Sequence, residues 1–98
     1  MDKDRILAIL REHEPELKAA GLLHLRLFGS VARGENTTQS DIDLMVDFDR
    51  TKPLTLMTLS SLKCQLDDLL GVDTDITSPE WMYPEILTHA NLEAVLVF

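Results

Sequence analysis

Two aspartates at alternate positions are the residues of this chain best suited to chemistry. Asp41 and Asp43 lie in the run SDIDLMVDF, where apolar and polar residues alternate as in a strand. Side chains two apart on a strand share a face, so both carboxylates project the same way, about 6 to 7 Å apart at the backbone. They could hold two Mg²⁺ ions about 3.5 to 4 Å apart, an arrangement that serves in-line phosphoryl or nucleotidyl transfer.

A glycine–serine turn precedes that pair. Gly29 and Ser30 follow an apolar run over residues 23–28, which predicts a strand that ends at the glycine. A residue without Cβ lets the backbone approach a ligand closely, while Ser30 and the amides after it can point at phosphate oxygens. The turn is therefore a candidate seat for a polyphosphate.

A third carboxylate usually completes such a site, and the run VDTDI offers two, Asp73 and Asp75, on a common strand face. We choose Asp75 and keep Asp73 as the alternative. On a strand beside that of Asp41, the third acid would reach the ion nearest the nucleophile and help to deprotonate it. The residues alone leave a second interpretation open, in which these aspartates are ordinary surface residues, because an exposed strand face is normally polar.

Residues 27–46, LFGSVARGENTTQSDIDLMV, resemble the signature of the DNA polymerase beta-like nucleotidyltransferase superfamily, Gly-Ser followed by Asp-x-Asp. More narrowly, they resemble the minimal nucleotidyltransferase (MNT) antitoxins that are paired with HEPN toxins. The later run GVDTDITSPE and the pair Glu93-Ala94 extend the likeness over most of the chain, although it is weak before Leu23. Alignment of the SPE segment favours Asp75 over Asp73 as the third aspartate.

The resemblance implies roles for six residues. Gly29 and Ser30 would hold the triphosphate of ATP, and Arg33 would contact phosphate or brace the loop. The catalytic and metal-binding set would be Asp41, Asp43 and Asp75, with two Mg²⁺ ions as the implied cofactors.

The function that the resemblance implies is that of an antitoxin enzyme, which transfers AMP from ATP to a tyrosine of a cognate HEPN ribonuclease toxin and inactivates it. One alternative is a non-catalytic antitoxin that neutralises the toxin by binding. Another is a nucleotidyltransferase with a small-molecule or RNA acceptor, which the short chain disfavours because relatives of that kind generally carry added acceptor-gripping domains.

The elements that must position these residues follow from hydrophobic periodicity. Helices are predicted over residues 2–13, 15–20 and 54–70 and from Pro79 onward, and strands over 23–28, 41–48, 72–76 and 94–98. This order predicts an α/β (α+β) domain spanning residues 1–98, with a mixed sheet of about four strands flanked by helices. The resemblance narrows it to the nucleotidyltransferase fold.

Composition limits the partners. The net charge is −8, with 17 acidic residues against 9 basic ones, which disfavours direct binding of a long nucleic acid but not of a metal-bound nucleotide. No apolar run has transmembrane length and no signal peptide is evident, so we expect a cytoplasmic protein with no membrane contact. A homo-oligomer stays open. We interpret Cys64 as a buried structural thiol, Asp47 as a solvated acid, and Trp81 and Tyr83 as packing residues.

Overall fold

The computed structural model describes residues 2–29, 32, 34 and 41–98, and they form four helices and four strands. The helices are α1 (Lys3–Glu12), α2 (Glu14–Ala19), α3 (Leu56–Leu70) and α4 (Pro84–Glu93). The strands are β1 (Leu22–Phe28), β2 (Ile42–Phe48), β3 (Thr74–Thr77) and β4 (Val95–Leu96), with a 3₁₀ turn at Pro79–Trp81.

The strands form one mixed sheet in the order β3-β2-β1-β4. Strand β1 is antiparallel to β2 and β4, whereas β2 and β3 are parallel and are joined through α3. The prediction of a mixed α+β sheet of about four strands is therefore confirmed. The parallel pair matters most for the site, because it brings the strand after Asp41 beside the strand that contains Asp75.

One face of the sheet packs against α1, α2 and α3. The alternation predicted for β2 holds there, since Ile42, Leu44 and Val46 are buried and belong to the core. The fully or nearly fully buried core residues contributed by the three helices are Ile6, Leu7, Leu10, Leu17, Leu62, Leu66 and Leu70. Helix α3 thus holds β2 and β3 from behind.

Helix α4 covers part of the opposite face. Met45 is only 1% exposed there, and Arg26 of β1 donates from Nη1 to the side-chain oxygen of Asn91 on α4 at 3.1 Å. The Arg26 guanidinium also lies 3.5 Å from the Asp47 carboxylate on β2. This face therefore carries the acidic residues of β2, and Asp43 lies near the end of that strand away from Phe48.

Helix ends obey the signals that the sequence carries. The Asp2 carboxylate accepts a hydrogen bond from the Arg5 amide at 2.8 Å and caps α1. Gly71 ends α3 in the left-handed conformation at φ 71°, where a residue with a Cβ would be strained. The helix predicted from Pro79 onward is divided in the structure. A 3₁₀ turn spans Pro79–Trp81, and Pro84 begins α4, because proline fits a first helical position.

Two predictions of burial are wrong, that of Cys64 and that of Leu23, which the alternation over residues 23–28 places on a buried face with Leu25 and Leu27. Leu23 is 50% exposed, because a β-bulge between Leu22 and His24 inserts one extra residue and turns Leu23 out of the buried face. Cys64 is exposed, because it lies about 200° around α3 from Leu62 at the helical rotation per residue, away from the buried stripe.

Candidate active site

The backbone after β1 touches the Asp43 carboxylate. Phe28 pairs with Asp43 across β1 and β2, and Gly29 follows at φ 77°. A Cβ added at Gly29 would lie 2.2 Å from Oδ2 of Asp43 and 3.0 Å from its Cγ. Glycine is therefore required twice, once for the left-handed backbone and once for the contact with the acid.

Asp43 and Asp75 are direct neighbours across the parallel strands. Their Cα atoms are register partners, one step beyond the pair formed by Ile42 and Thr74. Paired residues of adjacent strands project to the same face, so both carboxylates lie on the side opposite the α3 core. Asp41 is exposed and immediately precedes β2, two residues before Asp43. The condition on which Asp75 was considered as the third acid, that its strand lies beside the strand of Asp43, is thus met.

Asp73 occupies a different place from Asp75. It lies before β3, and its carbonyl accepts a hydrogen bond from the Ile42 amide at 3.3 Å. With Asp67, Asp68 and Gly71, it lines a surface depression at the end of α3. The residue opposite Asp43 is therefore Asp75.

The three acids share a face without converging on one point. Over residues 2–29, 32, 34 and 41–98, no group of three or more His, Cys, Asp or Glu side chains is arranged to hold a metal ion. Like charges repel at short range, so drawing these carboxylates together needs a cation. Their roles as metal ligands stay predictions, as do those of Ser30 and Arg33, which lie outside the described residues.

A hydrogen-bond network next to Asp75 ties β3 to α3. Oδ1 of Asp67 accepts from the Thr74 amide at 2.8 Å and from the Thr74 hydroxyl at 2.7 Å. The Lys63 ammonium donates to Oδ2 of Asp67 and to the Thr74 carbonyl, both at 2.9 Å. Thr74 is 1% exposed, and its amide, hydroxyl and carbonyl each form a hydrogen bond with a side chain of α3.

This network was not predicted from the sequence, although two signals for it exist. Lys63 and Asp67 are four residues apart on a predicted helix, a spacing that allows an ion pair, and a threonine stands between two aspartates on the next strand. Surface pairs of that spacing are common, and a threonine on a strand is ordinary. Only the fold shows that the pair meets the threonine.

The network shifts the titration of its charged members. Burial opposes ionisation of Asp67, but the hydrogen bonds from Lys63 and Thr74 outweigh it and lower the pKa of this carboxyl below 3.8. The hydrogen bond to Asp67 raises the pKa of the Lys63 ammonium above 10.5, and the charges of Asp73 and Asp75 add to that effect. The positive charge of Lys63 thus lies near the three carboxylates of Asp67, Asp73 and Asp75.

Two cavities lie at opposite ends of the parallel strands. One of about 270 Å³ adjoins Asp75 and is lined also by Leu59, Ser60 and Lys63. The other, of about 300 Å³, lies at the far end of β2 beside Phe48, whose ring packs on Trp81 with centroids 5.6 Å apart. Trp81 thus packs as predicted. Tyr83 is 74% exposed.

Comparison with known proteins identifies the family. The chain matches the model of the nucleotidyltransferase domain over residues 4–93. It is 35% identical over 95 residues to the protein adenylyltransferase MntA of Thermococcus cleftensis, covering 96% of this chain and 94% of MntA. Within the described parts of the chain, no helix is long and apolar enough to cross a membrane.

Solved structures share the fold. A candidate minimal nucleotidyltransferase is 40% identical and superposes with a TM-score of 0.79 over 97% of this chain and 95% of its own. A chain from the complex of a tri-AMPylated Shewanella oneidensis HEPN toxin with its MNT antitoxin is 17% identical, with a TM-score of 0.65 over 94% of this chain and 71% of its own. At that identity the likeness shows the fold alone. The chain therefore belongs to the nucleotidyltransferase domain family, among its minimal members.

Proposed function

We propose that this protein transfers AMP from ATP to a tyrosine hydroxyl of a cognate HEPN ribonuclease toxin and acts as the antitoxin of that toxin. The observation that carries the proposal is the placement of Asp43, which is paired with Asp75 on one side and touched by the Gly29 backbone on the other. The glycine that we propose for the phosphate-binding turn thus lies beside two acids at one end of the sheet.

The donor set fits Mg²⁺. Carboxylate oxygens are the ligands that this hard cation prefers, and Asp41, Asp43 and Asp75 project from one face. We assign these three side chains as the ligands of two ions. When bound, the ions would supply positive charge that polarises the phosphate oxygens and offsets the charge developing on pyrophosphate.

The strand order sets the direction of transfer. The acceptor oxygen forms a bond to the α-phosphorus while the bond from that phosphorus to pyrophosphate breaks, and in-line geometry places the two oxygens on opposite sides. If Gly29, Ser30 and Arg33 hold the triphosphate over the end of β1, the acceptor enters over β3. Asp75 stands there to take the hydroxyl proton.

The space beside Asp75 supports this direction. Strand β3 is at the edge of the sheet, and the cavity of about 270 Å³ between it and α3 is open to a side chain from another molecule. Leu59 and Ile76 supply apolar contact there, and Asp75 itself is exposed. A tyrosine carried by a folded partner could reach Asp75 from this open edge and would bring a binding surface of its own.

The identity of the partner and the chemistry rest on the relatives. MntA, a protein adenylyltransferase by name, matches nearly the whole chain. A chain from the complex of a tri-AMPylated HEPN toxin with its MNT antitoxin has the same fold as this chain. Together they favour a protein acceptor of the HEPN class over a small-molecule or RNA acceptor.

The test is label transfer from [α-³²P]ATP and Mg²⁺ to the protein product of the neighbouring gene. Asp41→Asn and Asp43→Asn should lower transfer at least about a hundredfold, because each removes charge from the ligand set. Asp47→Asn is the matched control, since Asp47 lies on the same face of β2 but faces Arg26. Its transfer should stay within about threefold of the unaltered chain.

A second readout separates catalysis from simple covering of the toxin. Toxin ribonuclease activity is measured with each variant present. If the Asp41 and Asp43 variants restrain the toxin as well as the unaltered chain does, the antitoxin acts by binding and the proposed chemistry is wrong.

A further inference from the structure

We propose that Thr74 and Asp67 are positioning residues that set the register of β3, so that Asp75 and not Asp73 stands beside Asp43. The inference rests on the proposed function, because it concerns which aspartate completes that site. It also makes a statement about strand register that can be tested without any activity.

The sequence of β3 leaves its register ambiguous. Asp73 and Asp75 flank Thr74, and a shift of two residues along β2 would keep every side chain on its face while placing Asp73 opposite Asp43. Strand β3 has four residues and, within the part of the chain that the structure describes, pairs only with β2, through four register pairs. So short an edge strand has few contacts of its own with which to reject the shifted pairing.

The contacts of Thr74 with α3 supply that rejection. Its amide and its hydroxyl both donate to Oδ1 of Asp67, at 2.8 and 2.7 Å. The Lys63 ammonium reaches the Thr74 carbonyl at 2.9 Å and also holds the second oxygen of Asp67. Because Leu62, Leu66 and Leu70 fix α3 in the core, Asp67 is a reference point that does not move with β3.

Each shifted register would break this network. A shift of one residue puts Asp73 or Asp75 in the place of Thr74, so that a carboxylate faces the Asp67 carboxylate. A shift of two residues puts Val72 or Ile76 there, and neither has a hydroxyl to donate. Of the residues from 72 to 76, only Thr74 brings a hydroxyl to Asp67 without adding negative charge.

The test compares Thr74→Val with Thr74→Ser. Valine has nearly the shape of threonine but no hydroxyl, whereas serine keeps the hydroxyl and should preserve the register. In the unaltered chain, nuclear Overhauser contacts between β2 and β3 should join Asp43 to Asp75. In Thr74→Val, a fraction of the molecules should show contacts between Asp43 and Asp73 instead. The Ile42 amide, which donates to the Asp73 carbonyl in the unaltered chain, should exchange with solvent faster in the variant.

AMP-transfer activity provides a second readout, one that would not change if Thr74 only stabilised the fold. In the unaltered chain, Asp75→Asn should abolish AMP transfer and Asp73→Asn should leave it within about twofold. In the Thr74→Val background, kcat should fall about tenfold or more with the KM for ATP nearly unchanged. Asp73→Asn should then lower the remaining activity further, because Asp73 has taken part of the role.

Controls and a second variant keep the test decisive. Asp68→Asn removes an exposed acid next to Asp67 and should change neither register nor kcat. If Thr74→Val does not fold, Asp67→Asn replaces it, since the amide oxygen still accepts from Thr74 but the bond to Lys63 is lost. The same register shift is then expected at smaller amplitude.

The outcomes distinguish the two proposals. The positioning role is refuted if folded Thr74→Val shows only contacts between Asp43 and Asp75 and if adding Asp73→Asn to it does not change AMP transfer. If the unaltered chain transfers no AMP while Thr74→Val still shifts the register, the proposed function fails and the register statement stands.

Discussion

Replacing Gly29 by alanine tests the contact between Gly29, in the proposed phosphate-binding turn, and the Asp43 carboxylate. The new Cβ would lie 2.2 Å from Oδ2 of Asp43, so the carboxylate must retreat by about 1 Å to reach ordinary van der Waals contact. Alanine at φ 77° also carries a left-handed strain of roughly 1–2 kcal/mol. The variant therefore combines a backbone effect with a displaced Asp43 carboxylate, a side chain that we propose is catalytic.

Gly71→Ala isolates the backbone effect. Gly71 has φ 71°, close to that of Gly29, and a Cβ added there meets nothing within 4 Å. Both variants should lose about 1–2 kcal/mol of stability, or roughly 4–16 °C in Tm for a domain of this size. The side chain of Asp43 can rotate, so the contact at Gly29 should add little to that loss.

Activity should separate the two variants. A displacement of about 1 Å at a catalytic group costs on the order of a hundredfold in rate. We therefore expect Gly29→Ala to lose about a hundredfold in AMP transfer and Gly71→Ala to stay within about threefold, both assayed well below their melting temperatures. Equal transfer by the two variants would refute the argument that Gly29 and Asp43 form one site.

Two further predictions concern stability. The pKa of Asp67 is lowered on folding, so its contribution to stability is present above about pH 4 and is lost as the pH falls through the folded pKa. The Tm difference between the unaltered chain and Asp67→Asn should therefore narrow on acidification. A Tm difference that stays constant from pH 7 downward would contradict this prediction. Leu66→Ala should cost about 2–5 kcal/mol in urea unfolding because Leu66 is fully buried, whereas Leu56→Ala, 80% exposed on the same helix, should cost less than about 0.5 kcal/mol.

The elements with strict periodicity or a strong end signal could be predicted from the sequence. Apart from Met45, which is buried on the opposite face, strand β2 alternates apolar and polar residues, and Ile42, Leu44 and Val46 are buried in the core, so its face assignment followed directly. Gly71 and Asp2 marked helix ends because their chemistry suits few other positions. The parallel neighbourhood of Asp43 and Asp75 was expected only on the condition that their strands pair.

Features that depend on partners distant in sequence escaped prediction. The bulge at Leu23 arises from how β1 meets β2, and the exposure of Cys64 depends on which side of α3 faces the sheet. The choice between Asp73 and Asp75 could not follow from alternation, because a period of two treats both alike. The choice of Asp75 came instead from the likeness of the SPE segment to the family, and the strand register agrees with it by placing Asp75 opposite Asp43.

The contacts on Thr74 have a consequence for self-association. In an edge strand, outward backbone groups are an open template on which another chain can add a strand. At Thr74 the outward amide and carbonyl are already occupied by Asp67 and Lys63 of α3. At the opposite edge, β4 is only two residues long. Two different devices thus discourage intermolecular sheet growth, so mutations that free Thr74 should promote aggregation even where the fold survives.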